Sequence, residues 1–212
     1  MYLSPAYEIT CPSCGQFLRG KVRQAALLVC KSCKSVILDP HGTPVLNSAP
    51  AVIPLAHPFI AIGTQGKVNK SSFEITGRIH YTYNDGFMND WHIVTEERKS
   101  FWLSESFGHY ALFNPTPEPE TVITDTHFEP DENSLTLNGQ TLVYEGSDSC
   151  TGFSFEGELP INPFAISYPF LSLNYSNSQI LACAHVFSQT DHKIYSGIRM
   201  SLEQLSLTSP NR

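Results

Sequence analysis

Two short cysteine pairs stand near the start of the 212-residue sequence: Cys11-Pro-Ser-Cys14 and Cys30-Lys-Ser-Cys33, with 15 residues between them. A C-x-x-C turn presents two thiolates to one metal ion, and two such knuckles complete a tetrahedral four-thiolate site. The pattern predicts one Zn²⁺ held by Cys11, Cys14, Cys30 and Cys33. Two disulfides would need an oxidising compartment, and a thioredoxin-type redox pair would need a βαβ context that the surrounding residues do not offer. A closed four-cysteine site keeps no open coordination position, so the zinc is expected to be structural. Gln16 to Val29 are long enough for a hairpin that brings the knuckles together. So small a unit has almost no core, so removing the metal should unfold residues 10–38.

Other residues capable of chemistry are less organised. Glu156 and Glu158 share one face of a candidate strand, at roughly 7 Å between Cα atoms. Paired carboxylates can do acid–base work or bind a cation. A solvated strand face explains them more simply, since Phe153, Phe155 and Leu159 take the other face. Glu105 is a third candidate carboxylate. Cys183 and His185 also share a strand face, but Leu-Ala-Cys-Ala reads as apolar core. Eight histidines are scattered without H-x-x-x-H or H-E-x-x-H spacing; His80 and His92 could meet across a first hairpin. No G-x-S-x-G elbow, P-loop or G-x-G-x-x-G occurs.

The elements that position these residues are strands. Phe73, Ile75, Gly77, Ile79, Tyr81 and Tyr83 alternate with Glu74, Thr76, Arg78, His80 and Thr82, which is the period of a strand with two unlike faces. Asn84-Asp85-Gly86 supplies turn chemistry. Runs at Trp91–Thr95, Ser100–Ser104 and His109–Phe113 complete an antiparallel meander. Its many aromatic residues form either a barrel core or a ligand groove, and Trp102 stands out of phase with Phe101 and Leu103. Behind it, Thr121–His127 is a candidate strand, Leu135 to Tyr144 form a hairpin around Asn138-Gly139, and Gly152–Leu159 alternates again. Asn162–Asn177 reads as a long loop with a short strand at Leu171–Leu173. Gln179–Phe187 suits a central strand, Lys193–Met200 returns, and Ser201–Leu207 is a final helix or strand. Pro40, Pro44, Pro50, Pro54 and Pro58 mark a linker.

Net charge is −7, unevenly placed: residues 1–42 carry five Lys+Arg against two acids (+3), and the remainder carries 8 against 18 (−10). Zinc and four thiolates would leave the head near +1, a weak surface for phosphate through Lys21, Arg23, Lys31 and Lys34, and the acidic body would repel nucleic acid. Apolar runs such as Ala25–Val29 fall far short of the roughly 20 residues of a membrane span. No charged segment followed by an apolar one opens the chain, so a cytoplasmic protein is expected.

Four motifs in order resemble the bacterial domain of unknown function 4178: Phe73-Glu-Ile-Thr-Gly77-Arg78-Ile79-His-Tyr81, Asn89-Asp90-Trp91-His-Ile93, Trp102-Leu103-Ser104-Glu105 and Phe155-Glu156-Gly157-Glu158-Leu159. The resemblance covers about Phe59 to Leu207; members of that family also carry a preceding four-cysteine ribbon. Met88 stands where an aromatic is expected and Asp90 where Glu is usual. The resemblance implies a bacterial cytoplasmic protein with membrane-stress or polyamine-related neighbours, and no established mechanism.

The sequence is therefore read as all-β: a zinc ribbon (1–42), a proline-rich linker (43–58), and a body of two β halves (59–208). The leading functional expectation is a non-enzymatic, zinc-stabilised docking module with a protein partner. The alternatives are a hydrolase using Glu156 and Glu158, or weak nucleic-acid binding by the ribbon.

Overall fold

Alternating apolar residues bounded by turn residues make this chain a series of antiparallel strands. The computed structural model describes residues 3–47, 57, 59–68, 70–115, 117–118, 134–188 and 191–208. In chain order they form β1 (Tyr7–Thr10), β2 (Phe17–Gly20), β3 (Leu27–Val29), β4 (Val36–Leu38), β5 (Val45–Leu46), β6 (Gln65–Val68), β7 (Ser71–Tyr83) and β8 (Gly86–Thr95). There follow β9 (Ser100–Ser106), β10 (His109–Phe113), β11 (Ser134–Leu137), β12 (Gln140–Leu159), β13 (Phe170–Ser176), β14 (Leu181–Val186), β15 (His192–Met200) and α1 (Leu202–Leu205). The expected all-β class is what the chain adopts.

The two β halves are two four-stranded meanders, β7–β8–β9–β10 and β12–β13–β14–β15. They join twice. β10 pairs with β15 from Tyr110↔Met200 to Phe113↔Gly197. β12 pairs with β13 up to Cys150↔Phe170, then with β7 from Cys150↔Tyr83 to Gly157↔Gly77. The body is thus one closed eight-stranded ring. Closure leaves its strands no free edge.

Period two decides which side chains face inward. Ile79 and Tyr81 of β7, Trp102 of β9, Cys150 and Phe155 of β12 and Phe170 of β13 form one inner cluster. Two further clusters coat the outside. Phe73, Ile75, Trp91, Ile93 and Leu103 are covered by Ile60 and by Leu205 of α1. Leu173, Tyr175, Ala182, Ala184 and Ile194 are covered by the β11–β12 hairpin through Leu135, Leu137 and Leu142. Burial on both faces explains the apolar run in β14. It also explains Trp102: out of phase with Phe101 and Leu103, it points inward and is only 7% exposed, so it forms no exposed patch.

Asn138 and Gly139 make the expected tight turn with φ of 50° and 74°, positive at both positions as such hairpins require. The expected short strand at Leu171–Leu173 is longer, spanning Phe170–Ser176, because β14 pairs along its whole length. Ser201 caps α1 reciprocally with Gln204, which settles that segment as helix. The ribbon differs from expectation. β2 and β3 are not partners; each knuckle has its own hairpin, β1–β2 around the first and β3–β4 around the second. The candidate strand Thr121–His127 and linker residues 48–56 and 58 lie outside the described residues. Among the described residues no helix is long and apolar enough to cross a membrane.

Candidate functional site

The four ribbon cysteines converge. Their sulfurs all lie within 4.8 Å of one another, with Cys11 Sγ 3.7 Å from Cys33 Sγ and Cys14 Sγ 3.8 Å from Cys30 Sγ. Sulfurs at the corners of a tetrahedron around a metal at roughly 2.3 Å stand about 3.8 Å apart. The separations are far beyond the roughly 2.05 Å of a disulfide. Each cluster pair spans both knuckles, and backbone bonds from Gly15 N–H to Cys11 O (3.0 Å) and Lys34 N–H to Cys30 O (2.9 Å) tighten the turns. The four cysteines can hold a metal ion.

This four-cysteine cluster is built onto the barrel. β3 pairs with the end of β12, Glu158↔Leu28 and Leu159↔Leu27. The Glu158 carboxylate turns away from solvent and accepts the backbone N–H of Lys21 (2.7 Å) and of Val22 (2.9 Å). Burial pushes its pKa up, and those two donors oppose the rise. Lys21 forms an ion pair with Glu74 of β7. Arg98 donates to the carbonyls of Lys21 (3.0 Å) and Ser4 (2.7 Å). Gly157, where β12 swings from β7 to β3, has φ +77°, and a Cβ there would strike the Thr76 carbonyl. Leu27, Val29 and Val36 then pack into the inner cluster with Ile79, Tyr81 and Trp102. The ribbon closes one end of the barrel.

Inside the ring is a cavity of about 990 Å³. It runs from Ala26 and the Pro160–Ile166 segment toward the Phe107-Gly108 turn and the Glu145–Arg199 ion pair (2.8 Å). Tyr81, Trp102, Phe113, Phe187 and Tyr195 are among the aromatic residues lining it, and Phe170 packs behind them. The Phe170 ring lies 4.7 Å from His185 and 6.1 Å from Tyr81, and His185 lies 5.5 Å from Tyr195. One carboxylate faces this space from mid-wall: Asp90 of β8, which accepts a hydrogen bond from the Ser104 hydroxyl on β9. Among the described residues no Lys, Arg or His forms an ion pair with it. Burial pushes its pKa up to about 6, with the Ser104 bond opposing. Burial, with the Lys193 charge adding, pulls His185 down to about 4, so its imidazole is neutral. Burial likewise pushes the Cys183 thiol up to about 12, so it is no thiolate nucleophile.

The carboxylates singled out from sequence lie elsewhere. Glu156 pairs with Arg78 at 2.8 Å on the outer wall. Arg78 is 2% exposed and lies 4.7 Å from the centre of the Trp91 ring. Glu105 accepts from Asn89 (2.7 Å) and lies 3.5 Å from His57. Glu158 clamps the ribbon. The three do not converge on the cavity. His80 bonds Asn89 (2.8 Å) outside, while His92 bonds Thr76 (2.7 Å), so the two histidines do not meet. Cys183 and His185 do share a face, and both line the cavity. The sequence marks Asp90 only as a departure from the resembled motif and assigns it no role, because in Asn-Asp-Trp it looks like any polar strand residue; its phase with Met88 and His92 on an inward face is the one hint. Of the basic ribbon residues, Lys21 is committed to Glu74, and Lys34 donates to the Lys31 carbonyl (2.9 Å).

No protein-family model, curated protein or solved structure matches the chain.

Proposed function

We propose that this protein is a non-enzymatic binding module whose barrel takes up a small, largely apolar molecule, with the ribbon as a zinc-stapled closure of one end. The observation that carries this is the cavity of about 990 Å³, within the size range of small-molecule sites, whose lining combines aromatic and aliphatic side chains with polar groups such as Asp90, Ser104, Asn174 and His185. The carboxylates that a hydrolase would need are engaged in holding Arg78, Asn89 and the ribbon backbone, which favours binding over turnover.

Four thiolates at tetrahedral spacing favour zinc over harder ions. Thiolates must stay reduced to hold it, so the reading carries a reducing compartment, the cytoplasm. A protein partner is a second reading. It is favoured by Phe17 on the ribbon's outer hairpin, 48% exposed with Arg19 lying 5.5 Å from the ring centre. In that reading the ribbon displays a recognition surface while it seals the barrel. The kinship with domain of unknown function 4178 belongs to the same proposal. Its motif residues Arg78, Trp91, Glu105 and Glu156 lie together on the outer wall and there serve the fold.

The test is uptake of the neutral fluorophore N-phenyl-1-naphthylamine. One equivalent should bind with a gain in emission, and Ala111→Trp, which fills the lumen from β10, should abolish it while the circular dichroism stays native. Absence of uptake, or uptake indifferent to Ala111→Trp, would overturn the reading.

A further inference from the structure

The geometry points to an organic cation as the lumen's ligand: an apolar or aromatic body carrying an ammonium group seated against the Asp90 carboxylate. This rests on the lumen-binding reading above and narrows it to one chemical class.

Asp90 is the reason. An ionised carboxylate has room for about four hydrogen bonds, and Asp90 receives one, from Ser104. A lone charge taken out of water is costly unless it is paired. Asp90 lies deep in the protein and yet retains accessible surface, and that surface opens on the cavity. Tyr81 of β7 and Tyr195 of β15 line the same cavity. Phenol oxygens accept the N–H groups that an ammonium does not spend on the carboxylate.

The remaining charges agree. His185 is neutral, Arg199 is paired with Glu145 at the rim, Glu203 of α1 is exposed there, and Lys193 is exposed, with its Nζ 5.7 Å from the centre of the Phe187 ring. The deep lumen therefore carries a single negative charge. An anionic ligand would meet repulsion, and a neutral one would leave Asp90 uncompensated. The aromatic rings of Tyr81 and Trp102, which line the cavity, attract a cation further. A metal ion is the poorer occupant. Among the described residues the ribbon cysteines are the one group of His, Cys, Asp or Glu side chains close enough to share an ion.

The test is a headgroup series on one scaffold, followed by titration calorimetry at neutral pH: 4-phenylbutylamine, 4-phenylbutan-1-ol and 4-phenylbutyrate. The amine should bind at least about tenfold more tightly than the alcohol, as expected for a hydrogen bond to a charged group, and the carboxylate should bind weakest. In Asp90→Asn the preference for amine over alcohol should vanish; Asp90→Glu, which keeps the charge, should retain it. Equal affinity for all three, or a preference that survives Asp90→Asn, would overturn the proposal. Failure of the whole series while N-phenyl-1-naphthylamine still enters would sink the cation and spare the lumen-binding reading. Failure of the dye as well would sink both.

Discussion

The Glu158 carboxylate holds the backbone N–H groups of Lys21 and Val22, at 2.7 and 2.9 Å, so the last turn of the barrel's longest strand grips the chain between the two metal knuckles. Residues 136 and 137 positions apart meet there in a buried setting. Replacing the carboxylate strands two donors. Glu158→Ala should cost about 2–4 kcal/mol, read as a shift of the urea midpoint. Glu158→Gln should cost less, because one amide oxygen still accepts. An unchanged midpoint for Glu158→Ala would show that water satisfies both donors.

Metal removal should reach the barrel. Leu27, Val29 and Val36 belong both to the ribbon and to the inner cluster around Trp102. A strong chelator should release one equivalent of zinc, lower Tm, and diminish dye uptake. Cys30→Ser should behave alike. A Tm that is indifferent to chelation would separate the ribbon from barrel stability.

Asp90 should act against stability at neutral pH. Its folded pKa, about 6, lies above the ordinary carboxyl value of 3.8, so the folded state holds the proton more tightly. Stability therefore falls as pH rises from 3.8 to about 6, and the cost persists above that window. Asp90→Asn should raise stability at pH 8 by about 1–3 kcal/mol and should change it little at pH 4. Denaturation of both proteins at the two pH values checks this. Such a trade, stability given up for a charged binding group, is a common cost of function.

The buried histidines have the opposite sign. Folding holds His185 near 4 and His92 near 3, below the usual 6.5, so each resists protonation. Their contribution is complete above pH 6.5 and is lost as pH falls through 4 and then 3. His185→Phe should flatten the acid limb of the stability curve. If the limb is unchanged, His185 stays solvated in the lumen.

Much of this architecture was readable because it is local. The alternation from Phe73 to Tyr83, the Asn138-Gly139 turn and the two C-x-x-C knuckles each state their geometry within a few residues. Ring closure is not local. Nothing near Cys150 announces that it faces Phe170 on one side and Tyr83 on the other, and that junction is what turns two meanders into a container. The lumen was hidden for the same reason. Trp102 and Asp90 share an inward face only after β8 and β9 are wrapped, and the outer coats make both faces of β14 look like core. Glu156 and Glu158 drew attention as a spaced pair, whereas their partners, Arg78 and the ribbon backbone, lie 78 or more positions away in sequence.

The central claim is that the barrel interior is a binding site. The most direct measurement is a crystal structure grown with N-phenyl-1-naphthylamine. Density for one dye molecule is expected inside the ring, between the walls bearing Tyr81, Asp90 and Tyr195. A dye seated on the outer surface, with the lumen filled by side chains or ordered water alone, would contradict it.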